Sequence, residues 1–158
     1  MTIQVGERIP PATLNLVRDG VQAIDSAEFF AGRKVVLFAV PGAFTPTCSA
    51  KHLPGYVRHI DEFGAKGYAV ACLSVNDAFV MSAWGKSQET PEAIQLLADG
   101  NGEFTKALGL ELDASAFGMG LRAKRFALIA DDGLVTHLFV EAPGEFSVSS
   151  AESVLASL

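Results

Sequence analysis

The chain is poor in cysteine and in positive charge, and it has no long apolar run. Two cysteines among 158 residues cannot build the multiply bridged framework of a small secreted domain, and reduced thiols in a cytosol are the simplest expectation. No apolar run approaches the roughly 18 residues that a membrane span needs. The opening residues, MTIQVGERIPPATL, lack a basic stretch followed by an apolar one, so no secretory signal is expected. Twelve Lys and Arg stand against 18 Asp and Glu, for a net charge of −6. The one basic cluster, Arg122, Lys124 and Arg125, is too small for a nucleic-acid surface. Neither GxGxxG nor GxxxxGK(S/T) occurs, which argues against a nucleotide cofactor. CxxC, HExxH and a carboxylate cluster are missing as well, which argues against a resident metal. Repeats, low-complexity tracts and linkers are likewise absent.

What is present is a core. Hydrophobic residues make up 49% and charged residues 19%, so one globular domain over residues 1–158 is expected. Its organising stretch is Val35–Gly55, VVLFAVPGAFTPTCSAKHLPG. Val35–Val40 is wholly apolar and suits a strand buried on both faces. Pro41-Gly42 stops it, Pro46 ends a loop, and Thr47 is a candidate N-cap. Cys48 then falls in the first turn of a helix expected to reach about Phe63, with Pro54 kinking it from inside. A free cysteine has a pKa near 8.5 and is only about 3% thiolate at pH 7. The unpaired N–H groups of a helix start favour the anion. Position alone leaves open whether Cys48 is reactive or a small core residue.

Thr13–Val17 and Val21–Ile24 flank Arg18-Asp19-Gly20, an N-terminal hairpin signal. Ser26–Phe30 reads as a short helical turn. Tyr68–Val75 is a second buried strand, Asp77 caps a helix over Ala78–Lys86, and Ile94–Ala98 is a further short strand. Glu103–Leu110 is a short helix, and residues 111–123 read as irregular. Arg125–Ala130 and Leu134–Val140 form a second hairpin about Asp131-Asp132-Gly133, and Ser150–Leu158 closes the chain as a helix. Strands alternating with helices between terminal hairpins predict an α/β fold: a mixed central sheet flanked by helices.

Pro41-Gly-Ala-Phe-Thr45-Pro-Thr-Cys48 has the form P-x-x-x-T-x-x-C and resembles the peroxiredoxin active-site motif. Ser49 to Gly55, Leu73 to Trp84, Arg122 to Leu128 and Gly144 to Glu152 extend the likeness. From end to end the chain resembles the plant type II, or mammalian peroxiredoxin-five-like, subfamily. The resemblance implies a thioredoxin-like fold and a thiol peroxidase that reduces hydrogen peroxide and alkyl hydroperoxides. By the same resemblance, Cys48 is the peroxidatic nucleophile and Thr45 a hydroxyl that bonds thiolate and peroxide. Arg125 is the distant arginine facing both, and Pro41 shields the thiolate. Lowering a thiol pKa from 8.5 to about 6 gains only about 30-fold in thiolate at pH 7. Donors aimed at the transition-state oxygens are the larger effect, at roughly 3–4 kcal/mol each.

Mammalian relatives place a resolving cysteine late in the chain, where this sequence has Ser147-Val-Ser149-Ser150. Cys72 matches a cysteine of plant relatives and stays open as a resolving residue, but its mid-strand place predicts burial, so a bridge to Cys48 would require local unfolding. An external thiol, from glutaredoxin with glutathione or from thioredoxin, is then the expected reductant. A homodimer is expected from the family, with Phe44 and Phe79 as core or near-interface aromatics. His52 and His59 tempt a metal reading that no motif supports, and His52 is expected at most to tune the site. Two rival readings stay open: a Cys–His hydrolase using Cys48 with His52 or His137, and a redox sensor whose thiol signals instead of catalysing.

Overall fold

The computed structural model describes residues 1–17 and 20–158. Its frame is a seven-stranded mixed sheet in the order β2-β1-β5-β4-β3-β8-β9. The strands are β1 (Thr13–Val17), β2 (Val21–Asp25), β3 (Lys34–Ala39), β4 (Tyr68–Ser74), β5 (Ile94–Ala98), β8 (Phe126–Asp131) and β9 (Leu134–Val140). β3, β4 and β5 run parallel, while β1, β2, β8 and β9 add antiparallel edges. Helices α1 (Ser26–Phe30), α2 (Leu53–Ala65), α3 (Ala78–Ser87), α4 (Glu103–Leu108) and α5 (Ala151–Leu155) cover the faces. This is the thioredoxin-like α/β arrangement expected from the sequence. No described helix is long and apolar enough to cross a membrane.

The period-two alternation of β3 divides the core. Val35, Leu37 and Ala39 point into one layer with Phe30, Phe104 and Phe126. Val36, Phe38 and Val40 point into the other, with Cys48, Tyr56, Phe63, Cys72 and Trp84. Both faces of β3 are therefore covered, which is why its sequence is a continuous apolar run. On α2, Leu53, Tyr56 and Phe63 are buried along one stripe, and Tyr56 stacks flat on Phe38 with ring centroids 3.9 Å apart.

Both hairpins form. β1 and β2 pair antiparallel, Val17 facing Val21; the Arg18-Asp19 part of the expected turn lies outside the described residues. Asp132 and Gly133 both have positive φ, 50° and 79°, which suits the twist of the strands they join. One β-bulge interrupts the ladder between β8 and β9 at Ile129/Ala130.

Three local expectations are corrected. Residues 111–123 are not irregular throughout: β6 (Glu111–Asp113) and β7 (Leu121–Ala123) pair around a 3-10 turn at Ser115–Phe117. The Cys48 helix is not a kinked α-helix, because Cys48–His52 is a π-turn in which the Leu53 N–H reaches the Cys48 carbonyl. Pro54 then sits in the first turn of α2, where the lack of an N–H is tolerated. Thr47 is no N-cap: its backbone is helical and its side chain makes no cap bond. The Thr45 carbonyl accepts the Ser49 N–H at 3.0 Å instead, so the coil begins earlier than the threonine spacing suggested. α3 and α5 are capped by side chains, with Asp77 accepting from the Val80 N–H and Ser150 from the Ser153 N–H.

Gly109 ends α4 in the left-handed conformation, φ 68°. The adjoining N-terminal segment is held by Ile3 N–H on the Leu108 carbonyl at 2.8 Å. A Cβ at Gly109 would run into the Met1 carbonyl. The left-handed conformation alone costs a non-glycine residue about 1–2 kcal/mol, and the N-terminal segment would have to move as well. Gly109→Ala is therefore expected to destabilise the fold by at least that amount; a urea midpoint equal to the parent's would refute this.

Candidate active site

Three strand ends meet at one edge of the sheet. β3 ends at Ala39, paired with Phe126 at the start of β8, and Phe126 in turn faces Val140 at the end of β9. The next residue of each strand projects beyond the ladder: Val40 then Pro41 from β3, Arg125 from β8, and Glu141 from β9. The Glu141 N–H donates to the Arg125 carbonyl at 3.0 Å, carrying the pairing one rung further. Topology thus brings an arginine to a cysteine 77 positions away in sequence.

The Cys48 sulfur is fully buried, and Arg125 Nη2 donates to it at 3.1 Å. Arginine has donors and no acceptor, so the sulfur must be the acceptor; a thiolate fills that part far better than a thiol. Among the described residues no carboxylate oxygen lies within 4 Å of the guanidinium. Its second hydrogen bond goes instead to His52, with Nη1 2.9 Å from Nδ1. The Phe146 ring lies 5.9 Å from the guanidinium carbon. Ser49, next to the sulfur, receives the Trp84 indole N–H at 3.0 Å, tying the start of the coil to α3.

His52 is fully buried, and its proton can be assigned from its partners. Nδ1 faces a pure donor, Arg125, so it carries the lone pair. Nε2 lies 3.1 Å from the Ser149 carbonyl, a pure acceptor, so it carries the hydrogen. Burial, with the adjacent Arg125 charge, lowers the His52 pKa from 6.5 to about 3. A neutral imidazole orients the guanidinium without cancelling its charge, as a carboxylate would. The same geometry removes His52 as a general base for Cys48, because its lone pair is already bonded to Arg125. His137 is on β9, with Nδ1 3.0 Å from Thr136 Oγ1, and no contact joins it to Cys48. The Cys–His pair of a hydrolase is therefore not assembled.

Pro41 lines the cavity beside Arg125, whereas Thr45, expected to bond the thiolate, turns its hydroxyl to the loop backbone instead. Thr45 Oγ1 donates to the Gly42 carbonyl at 2.7 Å. Its one proton is committed there and its lone pairs remain for an incoming donor. A cavity of about 200 Å³ is lined by Pro41, Thr47, Leu112, Ala142 and Pro143 together with the charged Lys124, Arg125, Glu141 and Glu145. Cys72 lies in mid β4 between Phe38 and Leu96; it is fully buried and unbridged. Burial first, and the neighbouring Cys48 second, push its thiol well up. The two α2-side histidines diverge. His52 points into the site, while His59 binds Glu62 and Glu152 at the surface. Among the described residues no cluster could hold a metal ion. Phe44 and Phe79 are both exposed, so neither is a core aromatic.

Reasoning from the sequence missed Tyr56, Glu141, Phe146 and Ser149. The Tyr56 hydroxyl donates to the Ser149 carbonyl at 2.8 Å, beside His52. Hairpin pairing about Asp132-Gly133 brings Glu141 close to Arg125 and was the one signal available. The serine run carried none.

A thioredoxin-like sheet with a buried sulfur under a guanidinium defines a thiol-based redox protein, and comparisons with known proteins narrow the class. The redoxin family model matches residues 4–155. The chain is 54% identical over 164 residues to the chloroplastic peroxiredoxin-2E-2 of Oryza sativa subsp. japonica, covering 99% of this chain and 73% of that one. It is 48% identical over 159 residues to peroxiredoxin-2B of Arabidopsis thaliana, covering 99% and 98%. Among solved structures, reduced Prx3 in complex with H2O2 from Vibrio vulnificus matches with a TM-score of 0.94 at 55% identity, over 99% of both chains. The chain belongs to the peroxiredoxin family, in its type II group, and is a thiol peroxidase.

The His52 shift has a sign that can be tested. Unfolded, the ring takes a proton near pH 6.5; folded, it stays neutral down to about 3. Its contribution to stability is complete above pH 6.5 and is lost as pH falls towards 3, at roughly 1.4 kcal/mol per pH unit. The parent should therefore lose about 2 kcal/mol more than His52→Gln between pH 7 and pH 5. Parallel denaturation curves for the two proteins at both pH values would refute the buried neutral ring.

Proposed function

We propose that Cys48 is the nucleophile of a hydroperoxide reductase whose electrons come from an external thiol. The observation that carries this reading is the 3.1 Å bond from Arg125 Nη2 to the Cys48 sulfur, made by a guanidinium that pairs with no carboxylate among the described residues. The thiolate attacks the terminal oxygen of ROOH. An S–O bond forms, the O–O bond breaks, and RO⁻ leaves as ROH after taking a proton from water. Cys48 is left as a sulfenic acid. Negative charge moves from sulfur to the departing oxygen, so a cation spanning both gains in the transition state. Thr45, its proton spent on Gly42, receives the peroxide O–H and orients it. Pro41 keeps water from the sulfur, and the cavity beside it takes the R group of an alkyl hydroperoxide. The related Vibrio vulnificus protein was crystallised with H2O2, which supports the substrate class.

A first external thiol condenses with the sulfenic acid, releasing water, and a second thiol breaks the mixed disulfide. Glutaredoxin with glutathione, or thioredoxin, supplies them. Cys72, buried in mid-sheet with its thiol pushed up, is a poor resolving partner for this step. The chain works in a reducing compartment, the cytosol in the simplest case. It works as a homodimer in which Phe44 and Phe79, 57% and 79% exposed, meet a second copy.

Peroxide consumption, coupled separately to glutaredoxin/glutathione and to thioredoxin, tests enzyme and donor together. Cys48→Ser should abolish turnover with either donor. Arg125→Ala should lower the peroxide rate constant by about 10²–10³-fold, the scale of one preorganised donor. Cys72→Ser should leave turnover with the effective donor unchanged. Turnover persisting in Cys48→Ser would end the proposal.

A further inference from the structure

We propose that Glu141 is a positioning residue of the peroxidase reaction, setting the direction of the Arg125 guanidinium through Ser149 and His52. The inference rests on the roles given above to Cys48 and Arg125. Glu141 is a buried carboxylate, 7% exposed, and it does not touch the sulfur. One of its oxygens, Oε2, takes three donors: the Ser147 N–H at 2.7 Å, the Ser149 N–H at 2.9 Å and the Ser149 hydroxyl at 2.7 Å. Burial alone would raise this carboxyl; the Ser149 hydroxyl and the N–H groups of Ser149, Ser147 and Val148 outweigh it and hold the group below the usual range. The turn is thereby folded around an anion.

The turn so held presents the Ser149 carbonyl to the two buried side chains that need an acceptor, His52 Nε2 and the Tyr56 hydroxyl. His52 can receive Arg125 at Nδ1 only while Nε2 keeps its hydrogen, and Ser149 is what keeps it there. Because the Glu141 N–H also bonds the Arg125 carbonyl, the bonds close a circuit. It runs from the Arg125 backbone to Glu141, the 147–149 turn, His52 and back to the Arg125 side chain. A closed circuit fixes the guanidinium at both ends, whereas an open chain of bonds would leave it free to swing. The carboxylate lines the same cavity as the guanidinium but makes no ion pair with it, so aim is gained without direct neutralisation. A carboxylate that merely stapled a loop would need none of these links.

The test compares two reactions of the reduced protein: with H2O2, and with iodoacetamide. Both draw on the thiolate, but only the first has a leaving oxygen at which a donor must be aimed. In Glu141→Ala the H2O2 rate constant should fall by roughly tenfold or more, the scale of a misplaced catalytic group, while the alkylation rate holds. Glu141→Gln should recover most of the loss, since all three donors converge on one oxygen that an amide carbonyl can replace. If Glu141→Ala does not fold, Glu141→Asp, one methylene shorter, should show the same selective loss. An unchanged H2O2 rate, an equal fall in both reactions, or a Gln variant no better than Ala would overturn the inference. Arg125→Lys run alongside separates the two claims: if it too keeps the H2O2 rate, the assignment of Arg125 fails, and not the circuit alone.

Discussion

The molecule depends on a guanidinium that is held in place yet keeps its charge. A carboxylate would orient Arg125 well but would compete with sulfur for the positive field. The protein uses a neutral imidazole instead, and that choice brings further requirements. His52 must be buried, must stay deprotonated, and must carry its hydrogen on Nε2. Each condition is met by a neighbour: Phe38, Tyr56 and Phe146 pack around the ring, and the Ser149 carbonyl takes its hydrogen. Much of the second core layer therefore serves the electrostatics of one sulfur as well as the stability of the sheet.

Much of the frame was legible beforehand. The apolar run of β3, the Asp77 cap and both hairpins follow from local rules that no long-range packing overrides here. The errors fell where local rules compete. A threonine followed by a helix reads as a cap, yet Pro46 is compatible with helix and lets the coil start at Thr45. Proline inside a helix reads as a kink, yet a π-turn ahead of Pro54 makes that position the beginning of α2.

The candidate site was legible in uneven measure. Cys48, Thr45 and Pro41 sit in one motif and could be read together. Arg125 was reachable only through family resemblance, because its nearness to Cys48 depends on β3 pairing with β8, a contact between distant segments. The hairpin could place Glu141 near Arg125, but its role, like that of Ser149, was out of reach for a different reason. Neither side chain touches the sulfur, and no pattern of residue types marks a carbonyl whose value lies in where it points.

The bulge between β8 and β9 bears on all of this. Near the tip, Ala130 faces Val135; past the irregularity, Ile129 faces His137. One strand has therefore spent an extra residue, Thr136, whose hydroxyl donates to the Ile129 carbonyl at 3.2 Å. Had Thr136 taken a rung of the ladder, Arg125 would lie opposite Val140, and the acidic side chain would fall one rung late, on the wrong side of the pleat. A spare threonine midway along an edge hairpin thus sets the phase in which the two ends of the circuit come level.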